Sequence, residues 1–213
     1  MDNSFDPIVS YGEHAAMNHY SPTSETDVEV EPHGFLLADT GGHYLEGTTD
    51  ITRTIALGSL TQEEKEMYTT VLKGHIQLEM ARFLQGCSGQ SLDVLARTPL
   101  WEKGLDYNHG TGHGMGYLLN IHEGPTNFRW AYRKNDTHQF EPGIVITDEP
   151  GIYFEGSHGV RLENELLVKE WKKNEYGEFL CFETITYVPM DLDGIKADMM
   201  SEEEKRLLND YHA

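Results

Sequence analysis

The sequence predicts an α+β domain with two related halves. Two segments, residues 34–57 and 144–168, each combine an apolar strand that ends in a carboxylate, a turn, and a returning strand with a second acid. Helical patterns lie outside these strand units, and two of them begin at capping boxes, Thr61–Glu64 and Ser201–Glu204. Helices that cover the outer face of a sheet would give this order. With 213 residues, the chain can form one sizeable domain with a real core.

The first half of the chain predicts three strands. The first covers Pro7–Tyr11 and is followed by a loop that reaches His19. Residues 21–33 are polar and contain two prolines, so we interpret them as a surface connection. Gly34–Asp39 and Thr48–Leu57 are rich in apolar or β-branched residues and predict a strand, a turn and a second strand. A carboxylate at the inner end of each of these two strands could meet at one point.

Two helices are predicted next. The first runs from its capping box to about Leu84, where Gly86 would end it. Its apolar positions recur at approximately helical spacing and indicate a face packed on the core: Met67, Val71, Leu72, His75, Leu78 and Phe83. We interpret His75 as structural or exposed rather than as a metal ligand, because no carboxylate pattern accompanies it. A second helix is predicted over Ser91–Gly104, although Pro99 interrupts its pattern.

The second half alternates strands with irregular segments. Residues 126–141 are predicted to be irregular, and their aromatic residues Trp130 and Tyr132 could line a site or lie on the surface. The remaining predicted elements are strands at Ile144–Tyr153, Gly159–Val168 and Phe179–Val188, a charged turn at residues 169–178, and a helix from Ser201 to the end.

The two carboxylate-bearing units resemble each other in sequence. The first has Asp39, Tyr44-Leu-Glu-Gly47 and Asp50, and the second has Glu149, Tyr153-Phe-Glu-Gly156 and Glu163. Two short matches can arise by chance. They nevertheless fit two half-domains, each of which gives a pair of carboxylates to a site at their junction.

Composition limits the classes of partner. The chain has 16 Lys+Arg against 36 Asp+Glu, a formal net charge of −20. This balance argues against nucleic acid or an anionic membrane, which need basic surface, and it favours cations. No transmembrane span is predicted, because no apolar run approaches about 18 residues. No signal peptide is predicted, because the N-terminus, Met1-Asp-Asn-Ser-Phe-Asp6, has neither a basic segment nor an apolar one. Two cysteines, Cys87 and Cys181, do not make a disulfide framework, so we interpret them as buried thiols in a reducing, cytoplasmic compartment.

Three histidines lie close together in His109-Gly-Thr-Gly-His113-Gly-Met-Gly and the following Asn120-Ile-His122-Glu-Gly-Pro125. Imidazole is the commonest metal ligand in proteins and the commonest acid–base group near neutral pH. Glycine lets the backbone approach a ligand closely. The alternative interpretation is a surface loop with incidental histidines, and acids elsewhere in the chain count against it.

Those acids are Asp39, Asp50, Glu149 and Glu163, which lie in apolar, strand-like segments. A carboxylate is unfavourable there unless it is paired or binds a metal. One imidazole and four carboxylates suit two hard or borderline divalent cations such as Mn²⁺, Co²⁺ or Zn²⁺. Two such ions about 3.5–4 Å apart can activate a water and polarise a carbonyl. The alternative, four ordinary surface charges, fits poorly with apolar strands.

The ordered series of these residues resembles the metallopeptidases of the pita-bread fold, and is most similar to the aminopeptidase P family of Xaa-Pro aminopeptidases. The motifs that carry the resemblance are Asp39, Gly47-Thr-Thr-Asp50-Ile-Thr-Arg-Thr54, His109-Gly-Thr-Gly-His113-Gly, Thr147-Asp-Glu149-Pro-Gly-Ile-Tyr153 and Val160-Arg-Leu-Glu163-Asn164. The likeness extends from about Asp6 to the end of the chain. It implies a curved, mostly antiparallel sheet with outer helices and two pseudo-symmetric halves.

The resemblance implies a dinuclear centre with five ligands. Asp39 would chelate one metal ion, and Asp50 and Glu163 would bridge both. His113 and Glu149 would hold the second ion. Glu149 would also act as the general base. Mn²⁺ is the first choice of metal, with Zn²⁺ and Co²⁺ as alternatives.

The resemblance also implies residues on the substrate side. His122 would help to stabilise the tetrahedral intermediate. His109 and His19 would line the substrate site with it. Arg161 would orient the ligand carboxylates. Tyr153 would lie near the same site.

The implied reaction is hydrolysis of the N-terminal residue from a peptide with proline in second position. A prolidase-like Xaa-Pro dipeptidase with the same metals is one alternative, and an inactive or binding module on the same fold is another. Members of this family carry one or two further N-terminal domains, and the full-length enzyme could form a homodimer. By this resemblance, residues 1–213 would be a metallopeptidase catalytic domain without its N-terminal helices, upstream domains and the end of its last helix.

Overall fold

A computed structural model describes residues 2–118, 120–134 and 138–213 of the protein. Within them the strands are β1 (Asp2–Asn3), β2 (Ile8–Tyr11), β3 (Phe35–Thr40), β4 (Gly42–His43), β5 (Ile51–Ala56), β6 (Arg82–Leu84), β7 (Gly112–Met115), β8 (His122–Phe128), β9 (Val145–Asp148), β10 (Gly151–Phe154), β11 (His158–Arg161), β12 (Asn164–Asn174) and β13 (Gly177–Thr184). The α-helices are α1 (Gln62–Glu79), α2 (Gly89–Trp101) and α3 (Glu202–His212), and short 3-10 helices cover Gly12–Ala16, Leu192–Gly194 and Ala197–Met199.

The strands form antiparallel sheets that meet at one line. The larger sheet has the order β6-β13-β12-β9-β7-β8, the smaller has the order β2-β3-β5, and β10 pairs with β11. A backbone hydrogen bond joins the two sheets where β5 approaches the segment between β11 and β12. In it the Glu163 N–H donates to the Thr52 carbonyl oxygen at 3.1 Å. Thr54 bonds both backbone groups of Arg161 from the same strand. This junction brings the ends of the two predicted carboxylate-bearing units together.

Helices α1 and α2 pack side by side beneath the sheets. A Cβ built on Gly74 would lie 2.1 Å from the Ala96 carbonyl oxygen, so the absence of a side chain there permits the close helix contact. Both predicted capping boxes are confirmed, at Thr61 with Glu64 and at Ser201 with Glu204. The buried face of α1 contributes to both hydrophobic clusters, through Tyr68 to one and Leu78 to the other.

Several predicted boundaries were wrong for identifiable reasons. Helix α1 ends at Glu79, not Leu84, because Arg82–Leu84 pairs with β13 and buries Phe83 against Phe182. The predicted turn at 169–178 is mostly strand, since β12 and β13 pair as far as Asn174 and Gly177. Charged side chains cover this ribbon on its exposed part, which made the segment resemble a loop.

Proline and burial explain the other differences. The predicted strand Ile144–Tyr153 is interrupted at Pro150 and becomes β9 and β10. Residues 126–128, predicted to be irregular, complete β8, and Phe128 is fully buried. Residues 135–137 of that predicted irregular segment lie outside the described residues. Trp130 and Tyr132 are exposed, which favours the surface interpretation for this loop.

In the described part of the chain, no helix has the length and apolar character needed to cross a membrane. Cys87 and Cys181 are both free and only half-buried, less enclosed than predicted.

Candidate metal centre

The five predicted ligands line one cavity of about 600 Å³: Asp39, Asp50, His113, Glu149 and Glu163. In each carboxylate-bearing unit, antiparallel strand pairing brings the two acids to the cavity. Asp39 is the register partner of Thr52, two residues beyond Asp50, on β3 and β5. Asp148 pairs with Asn164 on β9 and β12, so Glu149 and Glu163 leave the paired ends of these strands together. The predicted meeting point of the four acids is therefore present.

His113 reaches the carboxylates from β7. Donor atoms of Asp50, His113 and Glu163 all lie within 4.8 Å of one another. The Nε2 atom of His113 is 3.4 Å from Asp50 Oδ2 and 3.6 Å from Glu149 Oε1. Its Nδ1 atom is 2.9 Å from the Gly114 carbonyl oxygen, which assigns a proton to Nδ1 and turns Nε2 toward the acids. Burial acts to lower the pKa of His113, but Asp50 and Glu149 outweigh burial and raise it. A bound cation would take the place of the Nε2 proton.

The protein alone does not balance the charge of this cluster. Burial raises the pKa of Glu149 to about 7. Burial also holds the pKa of Glu163 well above its usual range, and the charges of Asp50 and Glu149 add to the effect. Burial raises the pKa of Asp39 although Arg161 opposes the change. Buried carboxylates that repel one another in this way favour cations between them.

The donor set fits the expected pair of divalent ions. Among the residues described, Asp39 Oδ1 is buried and has no hydrogen-bond partner, while Oδ2 accepts from Arg161 Nη2 at 2.7 Å. A buried carboxylate oxygen without a partner is costly and points to a cation in the cavity. The predominance of oxygen donors with a single imidazole fits Mn²⁺, Co²⁺ or Zn²⁺ and does not distinguish them.

Three supporting residues were not anticipated from the sequence. The Thr52 hydroxyl donates to Glu163 Oε2 at 2.6 Å, and the Thr147 hydroxyl is 3.3 Å from Glu149 Oε1. Glu165 accepts from the Asp50 backbone N–H at 2.7 Å. Each fixes the direction of a ligand carboxylate or of its backbone. Alternation offered a signal for Glu165, which is two residues after Glu163 in the predicted strand Gly159–Val168.

Behind the cavity lies a buried ionic cluster. His75 is fully buried, so the structural interpretation holds, but carboxylates do accompany it. Its Nδ1 is 3.1 Å from Asp148 Oδ2, and its Nε2 is 3.3 Å from Glu79 Oε1. Burial acts to lower the pKa of His75, but Glu79 and Asp148 outweigh burial and raise it to about 10. The cluster ties α1 to the residue next to Glu149.

The predicted substrate-side histidines His19, His109 and His122 line the same cavity. His122 is exposed, and its ring lies 4.0 Å from that of His113. His19 is also exposed. Both imidazoles are therefore accessible to a molecule in the cavity. Burial and the charge of His113 lower the pKa of His122, which favours its neutral form.

His109 differs from the other two because both its nitrogens are engaged. Nδ1 is 2.7 Å from the Gly110 carbonyl oxygen, and Nε2 is 2.8 Å from the Tyr153 hydroxyl. Tyr153 in turn accepts from Arg161 Nη1 at 3.1 Å. Burial lowers the pKa of His109 to about 4, so it is neutral near pH 7. These contacts link His109 to Asp39 through Tyr153 and Arg161.

Comparison with known protein families agrees with this geometry. The sequence pattern of metallopeptidase family M24 matches residues 1–170. The pattern of the C-terminal region of peptidase M24 matches residues 178–213.

The relatives and solved structures that resemble this chain are named as peptidases that act on Xaa-Pro substrates. The chain is 47% identical to a probable Xaa-Pro aminopeptidase P of Botryotinia fuckeliana over 99% of this chain and 32% of the relative. The structure resembles X-prolyl aminopeptidase from Caenorhabditis elegans, a cytosolic enzyme with a di-nuclear active site. That match has a TM-score of 0.91 at 38% identity, over 99% of this chain and 34% of the other. It also resembles Xaa-Pro dipeptidase from Bacillus anthracis, with a TM-score of 0.72 at 36% identity over 89% of this chain and 48% of the other. The chain spans about a third of the length of the first two proteins.

Proposed function

The chain belongs to metallopeptidase family M24, and from this premise we propose that it removes the N-terminal residue from peptides whose second residue is proline. Its fold is the pita-bread fold that the sequence predicted. The observation that supports the proposal most directly is the convergence of four carboxylates and one imidazole in a single cavity.

We assign the metal ligands as the resemblance implies. Asp39 would hold one ion, His113 and Glu149 would hold the other, and Asp50 and Glu163 would contribute to both. Two bound divalent ions would activate a water and polarise the scissile carbonyl. The ligand chemistry fits Mn²⁺, and the two free cysteines fit a cytoplasmic enzyme. We include a homodimer in the proposal for the whole protein. Elemental analysis of the purified protein tests the metal assignment.

The protein residues supply proton transfer and positioning. Glu149, which directly follows β9 and lines the cavity, is placed to take a proton from the attacking water and pass it to the leaving nitrogen. His122, accessible in the cavity, can donate to the oxygen that becomes negative. Arg161 directs Asp39 and holds Tyr153, and through Tyr153 it fixes His109. His109 thus lines the substrate site with a fixed orientation.

Proline as the second residue has a physical basis. The proline nitrogen carries no N–H, so the enzyme needs an apolar space for the ring and no acceptor for that nitrogen. Apolar side chains on the cavity wall supply such a surface: Phe5, Pro7, Ile8, Tyr20 and Ile121.

The substrate assignment predicts a clear order of activity. We expect the metal-loaded protein to cleave Xaa-Pro-Xaa faster than the matched Xaa-Ala-Xaa, measured as kcat/KM for release of the first residue. The dipeptidase alternative, favoured by the likeness to the Bacillus anthracis enzyme, predicts cleavage of Xaa-Pro alone. A binding module predicts no turnover of either peptide by protein that holds both metals.

The assignment of His113 to a metal ion and of His122 to the substrate side gives a second prediction. Replacing His122 by Ala should lower kcat by about 100- to 1000-fold, the usual effect of removing one oxyanion partner, and leave metal content near normal. His138→Ala, an exposed histidine outside the cavity, is the matched control. Loss of a metal ion from the His122 variant would instead identify His122 as a ligand.

A further inference from the structure

Arg129 holds a place in the cavity that the metal chemistry does not explain. It directly follows β8, whose Phe128 is paired with Gly112 on the histidine-bearing strand β7. Its side chain lines the same cavity as the metal ligands. A Cβ built on Gly110 would lie 3.1 Å from Arg129 Nη2 and 3.4 Å from Cζ. The guanidinium therefore packs against the backbone that joins His109 to Thr111.

The charge of Arg129 is not matched within the described structure. Arg161 also lines the cavity, but it contacts Asp39, Thr52 and Tyr153. Across residues 2–118, 120–134 and 138–213, no carboxylate lies within ion-pair distance of Arg129, and its side chain makes no hydrogen bond. A free guanidinium is unexpected in a protein of net charge −20 and in a cavity lined by five acids, Asp6, Asp39, Asp50, Glu149 and Glu163. It is available for a ligand.

Carboxylate is the ligand chemistry that suits this position. The planar guanidinium presents parallel N–H donors that match the two oxygens of a carboxylate. A peptide bound in the cavity carries a positive amine at one end and a negative carboxylate at the other. The acidic cluster favours the amine, and Arg129 favours the opposite end. The two charges together would set the direction in which a peptide enters.

We propose that Arg129 is a specificity-determining residue that binds a carboxylate on the leaving side of the scissile bond. The inference rests on the proposed peptidase function. It makes short peptides with a free C-terminal carboxylate preferred substrates, and a peptide with an acidic side chain at the same distance would use the same contact. The amides of the same peptides lack this contact.

The test compares matched acid and amide substrates. The metal-loaded protein is assayed with Xaa-Pro-Ala and Xaa-Pro-Ala-amide, and a second pair, Xaa-Pro-Glu-amide and Xaa-Pro-Gln-amide, separates the terminal carboxylate from a side-chain carboxylate. Arg129→Gln should lower kcat/KM for the acid substrate by about 10- to 100-fold, chiefly through KM, because it removes a charged hydrogen-bond pair. The acid-to-amide ratio of kcat/KM should fall in the Arg129→Gln protein, and Arg129→Lys should restore part of the preference.

Arg133→Gln is the matched control, an exposed arginine of the same loop that does not line the cavity. An acid-to-amide ratio that is unchanged by Arg129→Gln in both substrate pairs would overturn the inference. Calorimetric binding of the same peptides separates this failure from failure of the proposed function. Absence of cleavage together with Arg129-dependent binding of the acid would overturn only the peptidase proposal. Cleavage with equal affinity for acid and amide would overturn only the role of Arg129.

Discussion

Replacing Asp50 by Asn or Glu163 by Gln is expected to abolish turnover, with kcat reduced about 1000-fold or more, and to reduce the metal content of the protein. Both residues are proposed to be shared by the two ions, and a neutral amide is a poorer ligand than a carboxylate. Loss of a catalytic ion removes several kcal/mol of transition-state stabilisation, and each 1.4 kcal/mol is about tenfold in rate. The geometry makes both side chains central, since their donor atoms and that of His113 lie within 4.8 Å of one another.

The measurement pairs metal analysis with activity on the same samples. Glu183→Gln and Asp210→Asn make the same chemical changes at exposed positions and should keep full activity and metal content. Circular dichroism should show that the two site variants remain folded. Either site variant with two fully occupied ions and normal turnover would refute the ligand assignment.

The acids proposed as metal ligands were predictable, because an unpaired carboxylate in an apolar segment is energetically unfavourable. A carboxylate such as Asp39 at the end of an apolar strand needs a compensating charge wherever the strand lies. Two such units with the same internal order indicated that the acids meet. The antiparallel pairing of Asp148 with Asn164 supplies the register that brings Glu149 and Glu163 together. The positions of the acids therefore follow from local pattern, whereas the strand pairing sets how they meet.

The contacts that support the site could not be predicted, because they depend on how segments far apart in the sequence pack together. Arg53 received no role from the sequence, yet it is buried and donates to Asn164, Val188 and Tyr211. His75 meets Asp148 across 73 residues of sequence separation, a pairing that helical spacing cannot reveal. The end of α1 was misplaced for the same reason, because pairing with β13 decides it.

Removing the metal ions is expected to destabilise the folded protein, and more so at high pH. Ligands that bind only the folded state add stability by mass action, and removal cancels this contribution. It also leaves the four acids facing one another. Burial raises the pKa of Glu149 from 4.5 to about 7 in the metal-free fold. Glu163 and Asp39 shift in the same direction.

The sign of the pH dependence follows from these shifts. A carboxyl with a raised pKa binds its proton more tightly when folded than when unfolded, so stability falls as pH rises from the unfolded pKa through the folded one. For Glu149 that window is pH 4.5 to about 7. At about 1.4 kcal/mol per pKa unit, its contribution is on the order of 3 kcal/mol. In a chain of this size that corresponds to a fall in Tm of roughly 6–12 °C.

The measurement is the Tm of metal-free and metal-loaded protein between pH 5 and 8. The metal-free Tm should fall across this range, and the gap between the two forms should widen. Glu163→Gln supplies a reversed control, because it removes one of the repelling charges. Above pH 7 its metal-free form should melt at a higher temperature than the metal-free wild type, although it has lost a metal ligand. A metal-free wild type whose Tm rises with pH, or a Glu163→Gln protein that is less stable without metal, would contradict the charge repulsion on which the metal centre is argued.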